Sequence, residues 1–365
     1  MKIAGIIAEY NPLHNGHILH IEKTKQLTNC DLLIAVISGN FNQRGTISII
    51  DKQTKIQSAL KHGVDLVLEI PTTSVLSNAD IFAKGAIDTL KLCDIDYLVF
   101  GSETNNLKEL KEIAHLNINV NHLKENLKAG LSFPQSYGLL SGKFEANDIL
   151  AISYLKELKN SPITPLSIKR HISYHSDEIN DISSASAIRK AVKNNIDYHI
   201  TTPLNITKPQ FNEKYFSYLQ TLLTTANSQE LKEIYLIDEG IENHLIKCIA
   251  NSDNYDDFIN KAITRRYTKA RIERSLIHIM MNNKKTAVKN LPEINFIRVL
   301  GFNKKGQNYL KKLKTKTNVA VNFNQIPKEY RELFYKAALL YAHNLDKDHR
   351  KNILDQEIKG PIIIK

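Results

Sequence analysis

The chain has 365 residues, too many for one ordinary domain and few for three, so two domains are expected. Hydrophobic residues make up 42% and charged residues 24%, the balance of a soluble globular protein, and no stretch approaches the ~20 apolar residues of a membrane span. The net charge of +11 favours a polyanionic partner, because each Lys or Arg that neutralises a phosphate releases a counterion; the alternative source is a Lys-, Asn- and Ile-rich composition imposed by an AT-rich genome.

The first strand-like run, Lys2–Ala8, lacks the basic region, apolar core and cleavage site of a signal peptide, which points to the cytoplasm. Cys30, Cys93 and Cys248 match neither a disulfide framework nor metal-ligand spacing and fit the same reducing compartment. Further strands are expected at Asp31–Ser38, Leu66–Ile70, Tyr97–Phe100 and Leu166–His171, with helices at His17–Leu27, Lys52–His62 and Ala79–Leu92 between them. Each run is short and continuously apolar, as in a parallel sheet covered on both faces. Four runs end at Glu9, Gly39, Pro71 and Gly101, and in such a sheet the carboxyl ends converge on one ligand-binding crevice. From about Leu204 helical segments dominate, namely Gln210–Ala226, Ser228–Glu239, Asp256–Met281 and Lys328–Ala342, with one short strand-like run at Ile297–Leu300 and Gly301-Phe302. The expected architecture is a Rossmann-like doubly wound parallel sheet over residues 1–200, then a mostly helical, basic domain over 205–365, joined near Thr201–Pro209.

The segment from Gly5 to His17 carries the chemistry. A buried strand leads to a turn at Asn11-Pro12, and a helix starts near Gly16 or His17. Two histidines three apart, His14 and His17, at a helix N-terminus suit a phosphate: the helix end offers unpaired N–H groups, and imidazole donors can meet oxygens that gain charge during attack on phosphorus. Gly16 lets a nucleotide press against the backbone. The plain alternative makes both histidines ordinary turn and helix-cap residues. No third His, Cys or carboxylate has metal-ligand spacing nearby.

The Asn-Pro-x-His-x-Gly-His string resembles the first motif of HIGH-type nucleotidyltransferases, and Glu9-Tyr10-Asn11 before it resembles one branch, the tRNA(Met) cytidine acetate ligases. Ser38-Gly39-Asn40-Phe41-Asn42-Gln43-Arg44-Gly45, Asn78–Ala86 and Phe100-Gly101-Ser102-Glu103 are similar to later blocks of that branch. Ser184-Ala185-Ser186-Ala187-Ile188-Arg189 resembles the late helix-start motif that contacts ATP phosphates. Departures are Leu13 for Phe, Ile47 for Pro and Lys55 for Arg, and Lys55 is given no substrate role because Lys lacks the bidentate fork.

The resemblance implies ATP binding along Ile7, Ala8, Glu9, Tyr10, Asn11, Pro12, Leu13, His14, Asn15, Gly16, His17, Ile18, Leu19 and His20, completed by Gly101, Asn147, Arg170, Ser184 and Ser186, with His14 and His17 catalytic. It further implies Mg²⁺ brought with ATP, acetate as co-substrate, acetyl-adenylate as intermediate and the wobble cytidine of elongator tRNA(Met) as acceptor. No membrane or obligate protein partner is implied. Arg44, Arg266, Arg271 and Arg274 are candidate RNA contacts, although on a helical wheel the last three do not share a face and apolar residues lie on two sides. The Lys-rich run Lys304–Lys316 is a further basic stretch whose default reading is a solvated face. Two rival readings are a small-molecule adenylyltransferase and a non-catalytic RNA-binding protein on the same fold.

Overall fold

The apolar runs become strands of one sheet. In the computed structural model, which describes residues 1–116, 144–170 and 179–364, these are β1 (Ile3–Ala8), β2 (Leu32–Ile37), β3 (Leu66–Glu69), β4 (Tyr97–Ser102) and β5 (Thr164–Lys169). They pair in parallel in the order β5-β4-β1-β2-β3. The run expected at Leu166–His171 starts earlier, at Thr164; His171 lies outside the described residues. Helices α1 (Asn15–Thr28), α2 (Lys52–Lys61), α3 (Thr72–Val75), α4 (Ala79–Lys91), α5 (Leu107–His115), α6 (Ala146–Glu157) and α7 (Ala185–Lys193) belong to the same half of the chain. Side chains of His14, Asp51, Asn78 and Ser184 cap the starts of α1, α2, α4 and α7, taking up backbone N–H groups that no helical carbonyl can reach.

Successive residues of a strand point to opposite faces, and β2 shows it: Leu33, Ala35 and Ile37 join the core with residues of α1 and α2, while Ile34 and Val36 join the core with α4, α5 and α6. The strand order reverses at β1, with β2 and β3 on one side and β4 and β5 on the other. The carboxyl ends of β1 and β4 therefore flank an open crevice.

The second half departs from the single helical domain expected over 205–365. Helices α8 (Phe216–Thr225), α9 (Ser228–Lys232), α10 (Ile241–Ala250), α11 (Tyr255–Ala262), α12 (Lys269–Met280) and α13 (Lys285–Lys289) come first, and most of them pack around a core that also takes in Phe41, Ile47 and Leu76. That shared core seats the helical unit on the loops at the carboxyl ends of β2 and β3. The chain then returns to the sheet. β6 (Phe296–Phe302) pairs antiparallel with β3, and β7 (Asn318–Ala320) and β8 (Ile362–Ile363) pair with β6. All of β6 is buried, which a strand lying on the surface of a helical unit could not achieve.

Helices α14 (Lys304–Leu313), α15 (Lys328–Ala342) and α16 (Lys347–Ile358) complete this return. A buried quartet fastens it. Arg298 of β6 meets Glu69 of β3 and Glu357 of α16, both at 2.7 Å, and Lys52 of α2 meets the same carboxylates at 2.7 and 2.8 Å. Among the described residues no helix is long and apolar enough to cross a membrane.

Candidate active site

At the end of β1 the chain turns through Tyr10, whose φ of 46° lies in the left-handed region, and a cis Asn11-Pro12 bond. Asn11 Oδ1 accepts the Ile49 N–H at 2.7 Å, and Leu13 is fully buried, so the turn is held by both polar and apolar contacts. α1 then begins at His14. Its Nδ1 accepts the Gly16 N–H at 3.1 Å, and His17 Nδ1 accepts the His14 N–H at 3.3 Å. This is a capping box built from imidazoles rather than hydroxyl and carboxylate. The two ring centroids are 3.9 Å apart, and Tyr10 meets His17 edge-on at 5.1 Å.

Those two bonds decide the tautomer. A neutral imidazole that accepts at Nδ1 carries its proton at Nε2, an assignment that follows from the hydrogen-bond network. Both rings are neutral. Burial pushes His14 down to about 3, with Arg170 and Arg189 adding to it, and burial, then His14 and Arg170, hold His17 well below the ordinary range. His20, one turn on, is pushed down to about 4 by burial and by Arg170. The helix-cap reading does not exclude the phosphate-ligand one: the cap fixes Nδ1 and leaves each Nε2–H as an oriented donor.

A second helix start lies beside the first. Asn15 donates its N–H to Thr201 O at 2.9 Å and its Nδ2 to Asp181 O at 2.8 Å and Ile200 O at 3.0 Å, tying α1 to the segments on either side of α7. Arg189 of α7 donates to the Asn11 carbonyl at 2.8 Å. At the α7 start, Ser184 Oγ accepts the Ala187 N–H at 3.0 Å and lies 2.9 Å from Ser186 Oγ. A Cβ on Gly16 would sit 3.3 Å from Ile182 and 2.9 Å from the His14 ring, so only glycine leaves this junction undistorted. Two helix N-termini close together favour negative charge.

Across the crevice, at the end of β4, Gly101, Asn147 and Arg170 come together around Glu103. Asn147 Nδ2 donates to Glu103 Oε1, the Asp148 N–H donates to Oε2 at 3.0 Å, and Arg170 Nε lies 3.9 Å from Oε1. A Cβ on Gly101 would stand 3.2 Å from Arg170 Cγ and Cδ, so the missing side chain makes room for the Arg170 stem. Arg170 Nε and His20 Nε2 are buried without a hydrogen-bond partner among the described residues.

Sequence reasoning missed Asp148, whose buried carboxylate takes the Ser102 hydroxyl and the N–H groups of Glu103 (3.1 Å) and Thr104 (3.0 Å). Its signal was a Ser and a Thr close behind a strand-end glycine, which leaves N–H groups for a distant acceptor. Among the described residues there is no cluster of His, Cys, Asp and Glu that could hold a metal ion. Glu9, the carboxylate nearest the turn, accepts the Gln43 N–H at 2.6 Å.

The basic residues divide. Arg44 and Arg266 are exposed and Arg271 is half-buried. Arg266 and Arg271 share Glu239, at 3.6 and 3.3 Å, and Arg271 lies over the Tyr267 ring at 5.1 Å. Arg274, expected among the RNA contacts, is turned inward: Nη1 donates to the Gln43 carbonyl at 3.0 Å, because this margin of α12 faces the loop after β2. Within the Lys304–Lys316 run, Lys305 donates to the Asp31 carbonyl, Gly306 lies against Asp65 and Lys316 pairs with Asp94, at the end of the parallel strands opposite the site. Lys55 is fully buried, its Nζ held by the carbonyls of Ser38 (3.3 Å) and Gly39 (2.9 Å), and burial pushes it down to about 7. It braces the loop after β2 and reaches no surface.

An open α/β crevice, two imidazole donors on a helix start and an arginine across the gap are features of a nucleotidyltransferase-type fold. The chain belongs to the HIGH nucleotidyl transferase family, whose family model matches residues 1–357. Within it, the chain is similar to proteins named tRNA(Met) cytidine acetate ligase. The protein from Thermoanaerobacter sp. (strain X514) is 38% identical over 356 residues, 88% of each chain, and that from Clostridium kluyveri is 38% identical with 100% of this chain and 99% of the other covered. The crystal structure of Thermotoga maritima TmcAL bound with alpha-thio ATP superposes with a TM-score of 0.89 at 28% identity, covering 100% of both chains. The apo form of the same protein gives a TM-score of 0.88.

Proposed function

We propose that the chain is an ATP-dependent ligase that activates acetate and transfers it to the wobble cytidine of elongator tRNA(Met). The observation that carries the reading is the pair of neutral imidazoles whose Nε2–H donors are fixed by reciprocal caps at the α1 start. In the first step an acetate oxygen attacks the α-phosphorus of ATP, the bond to the bridging oxygen breaks, and pyrophosphate leaves. His14 and His17 stabilise the charge that builds on the phosphate oxygens, which a fixed donor does better than water because it needs no reorientation. Arg170 and the α7 start take the remaining phosphate charge. In the second step the exocyclic amine of cytidine attacks the acetyl carbon, AMP leaves, and the nitrogen loses a proton, giving acetylcytidine.

Mg²⁺ fits as a companion of the phosphates rather than as a resident ion. The site offers donors and cations, whereas Glu9 and Glu103 are occupied by backbone N–H and amide groups. Bound there, the ion would neutralise phosphate charge. The tRNA is assigned to the face that carries Arg44, Arg266 and Arg271, of which the first two are exposed and the third half-buried.

The test is ATP–pyrophosphate exchange with and without acetate, followed by mass spectrometry of elongator tRNA(Met) incubated with the enzyme. The reading requires exchange that depends on acetate and a tRNA heavier by one acetyl group. Exchange without acetate points to a small-molecule adenylyltransferase, and no exchange points to a non-catalytic RNA-binding protein.

A further inference from the structure

Helix α12 and the residues before it face two ways. Arg266, Lys269 and Arg271 lie toward solvent, whereas Glu273 is buried and Arg274 reaches the loop that follows β2. The contact is close: a Cβ on Gly45 would overlap the backbone of Glu273 and Arg274, and the φ of 81° at Gly45 is one that other residues rarely adopt. Within this loop the Asn42 N–H donates to Thr46 O and the Gly45 N–H to Asn42 O, both at 2.9 Å, which makes it a tight turn. Asn212 braces the far side, donating to Gly45 O at 3.2 Å and accepting the Ile47 N–H at 2.8 Å.

One residue of this turn touches both parts of the molecule. Gln43 accepts from Arg274 Nη1 at its carbonyl and donates its own N–H to Glu9 Oε1. Glu9 directly follows β1 and precedes the turn that presents His14. A bond from a guanidinium is stronger than one between neutral groups, and a turn braced on both sides passes on a displacement instead of absorbing it.

We propose that Arg274 is a positioning residue of the adenylation site, setting Glu9 through Gln43, so that the helix assigned to RNA on its outer margin also holds the turn of the two histidines. This rests on the ligase reading above for its activity readout. Arg274 is then needed in the first half-reaction, with no RNA present.

The experiment compares wild type, Arg274→Gln, Arg274→Lys, Glu9→Gln and the double variant Glu9→Gln/Arg274→Gln. It measures kcat/KM for ATP in acetate-dependent exchange without RNA, ATP affinity by titration, and affinity for elongator tRNA(Met). Arg274→Gln should lose about tenfold to a hundredfold in exchange, the usual scale for a misplacement remote from the chemistry, while Arg274→Lys recovers part of it. The double variant should fall no further than the weaker single, because both changes cut one link. Retained tRNA affinity reports that the variants fold.

Full exchange by Arg274→Gln, with weakened tRNA affinity, would make Arg274 an RNA contact and overturn the proposal. Additive losses in the double variant would overturn it as well. If wild type shows no acetate-dependent exchange, the ligase reading fails by itself, and the ATP titrations still decide the link: the proposal needs weaker ATP affinity in both singles and no further loss in the double.

Discussion

Replacing His17 with Ala separates the two jobs the ring performs. As a cap, it takes the His14 N–H at 3.3 Å, a long bond, and losing it should cost about 0.5–1 kcal/mol, the low end of the range for helix caps. The ring is half-buried and lies tilted against His14, so its removal frees His14 to turn. As a donor to the transition state, its Nε2–H should be worth about 2.7–4 kcal/mol, or roughly a hundredfold to a thousandfold in rate. The rate term exceeds the stability term by a factor of about three to eight, so a single variant can show both. Exchange at saturating ATP and acetate measures the first, and a urea titration of the same preparation measures the second. His17→Asn refines the comparison, because its amide oxygen can still accept the His14 N–H while no donor stands at the Nε2 position. It should recover stability and little of the rate. A loss below about tenfold in kcat, or a loss confined to the KM for ATP, would show that His17 positions the nucleotide and does not stabilise the transition state.

Acid should weaken the fold as the pH falls below the ordinary histidine value. The folded-state values of His14 (about 3), His20 (about 4) and His278 (about 4) all lie below the unfolded value of 6.5, and His17 is also well below it. These groups contribute stability above pH 6.5 that is lost as pH falls toward 4. Glu273, pushed up to about 7 chiefly by burial, and Glu157, also raised chiefly by burial, work in the opposite sense, but they are two groups against four. The urea midpoint should therefore fall between pH 7 and pH 5; an unchanged midpoint would contradict the buried, neutral histidines. Glu357→Ala leaves Arg298 and Lys52 with Glu69 alone in a buried site and should destabilise by about 3–5 kcal/mol; a loss under about 1 kcal/mol in urea unfolding would mean that water enters the quartet. Gly101→Ala places a methyl 3.2 Å from the Arg170 stem and should raise the KM for ATP by up to about tenfold with a smaller change in kcat, and an unchanged KM would remove Arg170 from the nucleotide site.

The strands and the His14–His17 pair were legible in the sequence because both are local. A continuous apolar run such as Leu32–Ile37 needs no partner to be recognised, and an imidazole pair at a helix start states its own geometry. What stayed hidden depends on contacts distant in sequence. Phe296–Phe302 reads as a short strand wherever it falls, but only pairing with β3 shows that it completes the first sheet rather than interrupting a helical domain. Arg274 and Arg271 look alike in a basic segment. At i and i+3 of one helix the two lie only about 60° apart, and what separates them is the partner each meets, Glu239 for Arg271 and the Gln43 carbonyl for Arg274. Lys55 was set aside for lacking the fork of arginine, while its role is to satisfy two backbone carbonyls, which an ammonium does well.

The histidine pair shows why a cap and a donor can be one residue without compromise. A Ser or Asp at the α1 start would satisfy the same N–H groups, but its oxygen would then be spent on the backbone. An imidazole has a second nitrogen on the opposite edge, and occupying Nδ1 as acceptor forces the proton to Nε2 as long as the ring stays neutral. Burial and the neighbouring arginines ensure neutrality by pushing both rings down. The positive surroundings, which on the proposed reading attract phosphate, thus also keep the rings from charging, and the local fold of α1 fixes the direction of both donors.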